Sequence, residues 1–427
     1  MPLLLRSFGL EAATPSERRA AGWIAVMFGA GLASMFLLRP LRDQFGVHAG
    51  VDSYPRLYTW TLLATTLAVL PFWWLANRMP SRRFVPLILH VCTGLVVVLA
   101  LALAAIGDYD WSSAPKVGEW FWGAFSALNV VVPTLVWIHA VEHCRTDQAR
   151  RLFGLIAFGG TVGAVVGSWL AGQLCDGLDL PPWTAACASA VLLQGMLVAF
   201  RCSLPACREL GSAADAGRVA SGGVFEGLRI LLQSGRARAI AAYMMLLGIL
   251  ATAFAAAETE LVGAGVAGSR EQHFLLASVE FWSQSLVLVL QLFMTGRLLQ
   301  RWPAAVLLVS LPVVSVVGLA ALWIAPVVLT INLVRIGRRG AQFAFEKPAR
   351  EVLYAPLALA TKHKVKFLLD TFAFRLGDLF GAWLAVGLRA SGLGVGTAAG
   401  ATTLVALVWI ALGLRLGRRE RQPASTS

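Results

Sequence analysis

The sequence predicts an all-α membrane protein with about twelve transmembrane helices in two parallel six-helix halves. Its composition excludes an ordinary soluble domain, because 58% of the residues are hydrophobic, 14% are charged and the mean hydropathy is +0.71. Soluble domains carry about a quarter charged residues. The chain of 427 residues also divides into apolar runs of about 17–25 residues, the length that crosses a bilayer as a helix.

Six apolar runs fall in each half of the chain. Predicted helices one to six, in the half 21–204, cover residues 21–38, 57–76, 84–106, 118–141, 152–175 and 183–204. Predicted helices seven to twelve, in the half 237–416, cover residues 237–257, 274–296, 303–323, 326–345, 367–388 and 393–416. Residues 205–236 are rich in Gly, Ser and Ala, which is typical of a linker. Residues 1–20 and 417–427 are then a leader and a tail.

The basic charge of the chain, a net +13, predicts membrane topology rather than nucleic-acid binding. Arginine and lysine recur in every second loop, whereas the intervening loops contain more aspartate and glutamate. Cytoplasmic loops of membrane proteins carry this excess of positive charge. We expect a multi-pass protein of a bacterial inner membrane, with the leader, linker and tail in the cytoplasm. The first apolar run follows a charged leader and is full length, so it is not a cleavable signal.

An internal repeat supports two related halves. At a constant offset, five residues of helix five match five of helix eleven: Gly163, Gly167, Trp169, Leu170 and Ala171 match Gly377, Gly381, Trp383, Leu384 and Ala385. Because each half has an even number of helices, the halves are parallel, as in major-facilitator transporters.

Ionisable residues inside the apolar runs are the candidate functional groups. Facing lipid, each would cost about 2.5–3.5 kcal/mol. Half a dozen would cost on the order of 15–20 kcal/mol, which exceeds the usual total stability of about 5–15 kcal/mol. They must therefore face each other or a hydrated cavity.

The arginines among them outnumber the acids, which favours an anionic substrate, since guanidinium pairs with carboxylate and phosphate through two donors. The predicted substrate-binding residues are Arg39, Arg42, Asn129, Arg335, Arg339 and Arg375. The predicted residues for ion coupling or charge balance are Asp43, Glu280, Asp370 and Asp378. Three alternatives stay open. Helices ten and eleven could be joined by a static ion-pair network, the charges after helix one could lie at the outer interface, and Asn129 could form a helix-packing hydrogen bond.

One motif suggests metal chemistry. His139, Glu142 and His143 match the H-x-x-E-H pattern of inverted zinc proteases. A protease would also need a third ligand and a hydrolytic cavity, which the sequence does not indicate. No P-loop is present, and the six cysteines have no zinc-site spacing. We therefore expect no metal, no cofactor and no enzyme activity, although a membrane enzyme acting on lipid-linked substrates and a non-transporting scaffold remain alternatives.

Several segments resemble known transporters. Residues 77–83 resemble a degraded major-facilitator loop between helices two and three. Residues 37–43, 150–154, 159–160, 346–354 and 366–372 resemble, in that order, the ATP:ADP antiporter (nucleotide exchange transporter) family. The most specific of these is Lys347-Pro348-Ala349-Arg350-Glu351. The resemblance covers nearly the whole chain and indicates a divergent bacterial relative.

The resemblance implies nucleotide exchange, with cavity cations that hold phosphates. Arg42 would occupy the basic site at the end of helix one. This chain departs from the exchanging members of the family in two places: they have an acid near Phe125 or Ser126, and a lysine at the position of Asp378. We therefore predict a secondary transporter of a small anionic solute, a nucleotide or another phosphate or carboxylate compound, working by alternating access and with exchange as one mode. We expect a monomer in the lipid bilayer and no nucleic-acid partner.

Overall fold

The structure, a computed structural model, describes residues 13–144, 146–210, 229, 233–295, 301–353 and 369–419. Within these ranges all regular secondary structure is helical. The first six long helices are α1 (Pro15–Ala49), α2 (Tyr54–Ala76), α3 (Ser81–Ile106), α4 (Pro115–His143), α5 (Thr146–Gly172) and α6 (Pro182–Glu209). Short 3₁₀ turns at Val51–Ser53 and Trp111–Ser113 precede α2 and α4.

The second six long helices follow the same succession. They are α7 (Gly235–Gly265), α8 (Ser269–Leu290), α9 (Ala304–Ile324), α10 (Val328–Ala341), α11 (Phe374–Ala390) and α12 (Val395–Arg419). A π-helical turn, Gln342–Glu346, carries α10 on into the helix Lys347–Leu353, and another, Leu369–Ala373, leads into α11. The prediction of about twelve helices is confirmed for the described residues.

Ten of the helical segments are long and apolar enough to cross a membrane by length and composition. The two long helices that fall short, α10 and α11, are those that carry Arg335, Arg338, Arg339 and Arg375. Both are interrupted at one end by a π-helical turn, a feature that often accompanies functional positions in helices. The protein is a multi-pass membrane protein.

The first helix is longer than predicted. The sequence places its end at residue 38, whereas α1 continues to Ala49 with Pro40 in its interior. The polar stretch that follows residue 38 looks like an exit from the membrane in a hydropathy profile. In the structure Arg39 is buried with only 8% of its surface exposed, so these polar residues belong to the packed part of the helix.

The seventh helix is also longer than predicted. The sequence ends it at residue 257 and assigns Glu258 and Glu260 to an outer loop, but α7 runs to Gly265 and contains both acids. Glu258 is 9% exposed. The assignment of these two glutamates to a loop was wrong, because carboxylates that find cationic partners do not end a helix.

The chain forms two compact units. The first comprises Met1–Phe45, Leu63–Val219 and Gly268–Leu288, and the second comprises Gly46–Leu62, Ala220–Ala267 and Val289–Ser427. Most of the predicted linker 205–236 lies outside the described residues, as do parts of the leader and the tail. The division of the chain at that linker stays a prediction.

Helix packing in the two units follows one scheme. In the first unit α3 packs along α6 and also contacts α4; in the second, α9 packs along α12 and also contacts α10. The elements of the second unit that correspond to α3, α4 and α6 therefore make corresponding contacts. These shared contacts agree with the repeat that the sequence offset predicts.

Closely packed glycines give the most direct evidence for the repeat. A Cβ atom built on Gly163 or Gly167 of α5 would lie within 3.0 Å of a backbone carbonyl oxygen of α1. A Cβ atom built on Gly377 or Gly381 of α11 would lie equally close to a backbone carbonyl of α7. These are the glycines that match in the sequence repeat. Small residues at such positions let helix backbones come into contact in membranes.

We predict that Gly163→Ala and Gly377→Ala each lower the stability of the folded protein by about 1–3 kcal/mol, as overpacking does. The obstacle is backbone rather than a rotatable side chain, so the helices must move apart. Thermal unfolding in detergent measures the loss.

Gly94→Ala and Gly195→Ala are the matched controls, because a Cβ at either residue meets no atom within 4 Å. Both lie inside helices, where alanine is favoured over glycine by about 0.8–1.0 kcal/mol. Equal effects at all four glycines would contradict the close approach of the helices.

Candidate functional site

The first unit contains a buried ion pair between α1 and α8. Arg39 Nη1 lies 3.4 Å from Glu280 Oε1, and the two side chains are 9% and 0% exposed. Gln284 donates a hydrogen bond to the same carboxylate oxygen at 2.8 Å, and the Arg39 guanidinium lies 4.4 Å from the Phe36 ring centroid. The structure thus buries Arg39 in the protein interior, and it joins two predicted site residues that are 241 positions apart.

Arg42, one turn further along α1, lies among aromatic rings. Its guanidinium carbon is 3.9 Å from the Trp122 ring centroid and 5.8 Å from that of Phe125, both on α4. Its described carboxylate contact is with its neighbour Asp43, at 3.4 Å, where both side chains are about one-fifth exposed. The predicted pair Arg42 and Asp43 is therefore brought together. Rings occupy the part of α4 where the resembling family has an acid.

Asn129 lies deeper on α4 and is half-buried. Its amide makes no hydrogen bond to any side chain or backbone group in the described ranges, and its role in solute binding stays a prediction.

In the second unit Arg335 pairs with an acid that the sequence analysis did not select. Arg335 Nη1 lies 2.6 Å from Glu258 Oε1, with side-chain exposures of 12% and 11%. Glu258 was missed because it was assigned to a loop beyond helix seven. Its position could have revealed it, since no proline and no glycine lies between Gly248 and Glu258 to end the helical run.

Arg375 and Asp378 pair within α11. Arg375 Nη1 lies 2.9 Å from Asp378 Oδ2, across one helical turn. Asp378 Oδ1 accepts a hydrogen bond of 3.3 Å from Thr252 of α7. These contacts include no ion pair between α10 and α11. Arg335 of α10 and Asp378 of α11 each contact a residue of α7 instead. Asp370 belongs to the turn Leu369–Ala373, and its side chain lies outside the described residues.

Arg338 is the functional candidate that the sequence analysis left out of its site. Its guanidinium carbon lies 3.9 Å from the Phe254 ring centroid, and its Nε donates to Ser315 Oγ at 3.0 Å. Among the described residues it pairs with no carboxylate. Arg338 as a residue is half-buried.

Three further basic residues follow along the same chain segment. The guanidinium carbon of Arg339, a predicted site residue, lies 5.9 Å from the Phe343 ring centroid, and Lys347 Nζ lies 5.2 Å from the same centroid. Arg350, in the most family-like motif, pairs with the fully buried Glu346 at 3.5 Å and contacts the Met244 sulfur. Part of that motif is thus a structural ion pair.

The loop between α3 and α4 is fixed by Gln44. Its amide donates to the Tyr109 carbonyl at 2.7 Å and accepts from the Trp111 indole N–H at 3.2 Å. Burial is the main cause that raises the pKa of Tyr109 above its ordinary value. The phenol is therefore neutral and donates to the Leu180 carbonyl at 3.1 Å. This polar cluster anchors the part of α1 that carries Arg42.

Comparison with known proteins shows the fold. No protein-family model matches the sequence, and no curated protein does either. The nucleoside transporter NupG aligns with 96% of this chain and 100% of its own, at a TM-score of 0.62 and 15% identity. The human organic anion transporter MFSD10 (TETRAN) covers 94% and 100%, with a TM-score of 0.59 and 15% identity.

A bacterial homologue of the human lysosomal transporter Spinster, solved in an inward-facing and occupied conformation, is also similar. The alignment covers 97% of this chain and 100% of that one, with a TM-score of 0.60 and 12% identity. At these identities the likeness defines the fold, which is that of the major-facilitator transporters. The fold class predicted from the sequence is confirmed. Membership of the ATP:ADP antiporter family is not confirmed.

Breaking the pair between Arg39 and Glu280 is expected to be costly. Arg39→Met removes the arginine counter-charge of the buried Glu280 carboxylate, and we predict a loss of about 3–5 kcal/mol in stability. Replacing both partners (Arg39→Met with Glu280→Leu) should restore most of the loss, since a buried pair is often replaceable by apolar residues. Thermal unfolding of the purified protein is the measurement.

Arg389→Met provides the matched control. Arg389 lies 3.4 Å from Glu260, but its side chain is 48% exposed, and exposed pairs are worth about 0–1 kcal/mol. A single Arg39→Met variant as stable as the Arg389→Met variant would mean that the buried pair does not stabilise the fold.

Proposed function

We propose that the protein is a secondary transporter that moves a small organic anion across the membrane by alternating access. The fold supports transport, because the similar structures are, by their own descriptions, a nucleoside transporter, an organic anion transporter and a bacterial homologue of a lysosomal transporter. The arginines at membrane depth support an anion, since unneutralised guanidinium groups in a low-dielectric region attract carboxylate and phosphate.

The observation that carries the proposal is the setting of Arg338. Most of the other deep arginines contact a carboxylate: Arg39, Arg335, Arg350 and Arg375 each have one within 4.0 Å. Arg338 has an aromatic face and a hydroxyl instead. Stacking on a ring stabilises the cation without neutralising it. Its N–H groups that point away from Phe254 and Ser315 are the donors for a solute.

The setting of Asp378 favours an anion with less charge than ATP. Asp378 stands where the resembling family has a lysine, and it pairs with Arg375 and so removes one cation from the local balance. We therefore propose small organic phosphates or carboxylates of one or two charges as substrates, with nucleotide exchange as the narrower form of the same proposal.

Uptake by proteoliposomes tests the transport proposal directly. Labelled nucleotides, organic phosphates and organic carboxylates would each be supplied outside vesicles, with and without the same solute inside. We expect uptake of at least one anion class above that of protein-free vesicles. Stimulation by internal solute would identify exchange. If no anion of the panel is taken up or stabilises the purified protein against heat, the anion proposal fails.

Arg338→Ala is predicted to weaken binding of the transported anion roughly 10- to 150-fold. This corresponds to the loss of a hydrogen bond to a charged group, about 1.5–3 kcal/mol. Arg338→Lys should fall between the wild type and the alanine variant, because the charge remains and the two-donor geometry is lost. The measurement is the concentration dependence of uptake.

Arg78→Ala is the control for this prediction. Arg78 also stacks on an indole ring, at 4.2 Å from Trp74, but it is exposed. Its removal should leave uptake unchanged. If Arg338→Ala and Arg78→Ala behave alike in uptake, Arg338 has no place in the mechanism.

A further inference from the structure

The histidine motif of α4 meets a cysteine from another helix. His139 and His143 are one turn apart on α4, with ring centroids 4.7 Å apart. Cys207, near the end of α6, places its Sγ 3.9 Å from His139 Nε2. One ligand atom from each of the three residues lies within 4.8 Å of the other two. The third ligand that the sequence motif lacked is thus present, and it comes from another part of the chain.

We propose that His139, His143 and Cys207 form a binding site for a zinc-class metal ion that links α4 to α6. Two imidazoles and a thiolate are the ligand types that zinc prefers, with Zn–N near 2.0–2.1 Å and Zn–S near 2.3 Å. Ligand atoms in a tetrahedral site with those bond lengths lie about 3.3–3.6 Å apart. The observed separation of 3.9 Å between His139 Nε2 and Cys207 Sγ is close to that spacing.

The hydrogen bonds of the two histidines prepare their ring nitrogens for a metal. His143 Nδ1 lies 3.0 Å from the His139 carbonyl oxygen. A carbonyl oxygen only accepts, so Nδ1 carries the proton and Nε2 keeps its lone pair for a ligand bond. This outer hydrogen bond to a backbone carbonyl is the usual way in which a protein orients a metal-binding histidine.

His139 would change its hydrogen bonds on binding a metal. The residue is fully buried, and its Nδ1 has no hydrogen-bond partner among the described residues. Its Nε2 lies 2.7 Å from Ser203 Oγ, whose hydroxyl donates to the Phe200 carbonyl at 2.6 Å. Binding through Nε2 would replace the hydrogen bond to Ser203 and place the ring proton on Nδ1. The Cys207 thiol releases one proton as it becomes a ligand.

The site differs from that of a zinc protease. Glu142, which would be the general base of such an enzyme, is exposed, whereas His139 and Cys207 are buried. Three protein ligands leave a fourth position for water. The arrangement fits a metal ion that joins the ends of α4 and α6. The role of such an ion would be structural or regulatory rather than hydrolytic. The site is independent of the arginines assigned to the solute.

Cobalt binding to the purified full-length protein tests the site, because Co²⁺ reports thiolate ligation through a near-ultraviolet charge-transfer band. We expect one Co²⁺ per chain with that band, displaced by Zn²⁺, and a rise in thermal stability on adding Zn²⁺. Cys207→Ser should abolish the band, and His143→Ala should weaken binding at least ~10-fold. The half-buried Cys202, also on α6, gives the control, and Cys202→Ala should leave the band intact.

The outcomes are distinguishable even where a variant folds poorly. His143 is only half-buried, so His143→Ala is the variant for use if Cys207→Ser is not monodisperse. A wild-type protein that binds no Co²⁺, or binds it without the thiolate band, would overturn the proposal. So would a band that survives both Cys207→Ser and His143→Ala. Anion uptake by the same preparations is a separate measurement.

Discussion

The cost of a charge in hydrocarbon is the constraint on which the rest of this structure depends. Each arginine at membrane depth must be compensated, and the protein does so in two ways. Arg39, Arg335 and Arg375 lie within 4.0 Å of carboxylates. Arg338 lies against an aromatic ring at 3.9 Å, whereas Arg42 has both a ring at 3.9 Å and the Asp43 carboxylate at 3.4 Å. A carboxylate cancels the charge of an arginine, and a ring alone keeps it.

This difference separates a static framework from a binding site. A carboxylate beside an arginine satisfies both groups and leaves little attraction for an added anion. An aromatic face removes water from one side of the guanidinium. The ring attracts the cation but does not neutralise its charge as a carboxylate does. The N–H donors at the edge of the group still need acceptors. The partner that we propose for these donors is an anionic solute.

Hydropathy predicted most of the fold, because about twelve apolar runs of spanning length have few alternative structures. It failed where charge interrupted the pattern. Arg39, Arg42 and Asp43 made helix one look finished at residue 38, and Glu258 made helix seven look finished at residue 257. Both helices continue, to Ala49 and Gly265. A window average treats each charge as unpaired, and only three-dimensional contacts reveal the partner.

The candidate site was less predictable than the fold, for the same reason. Residue type and depth selected Arg39, Glu280, Arg375 and Asp378, which the structure does bring into pairs. Nothing along the chain predicts that Arg39 would find its acid 241 residues away. Arg338 shares a helix face with Arg335 in the sequence, so its different surroundings follow only from Phe254 and Ser315 on neighbouring helices.

Close backbone packing fixes the helices that carry several of the charged residues. Gly163 on α5 and Gly377 on α11 bring their helices into direct contact with α1 and α7. Those two partner helices carry Arg39 and Arg42 in one unit and Glu258 in the other. Because the helix backbones are in contact at these glycines, the positions of α1 and α7, and of the charged residues on them, are fixed. The two units therefore share the glycine contacts between helices, whereas their ionisable residues differ. Specificity for a solute would come from that difference.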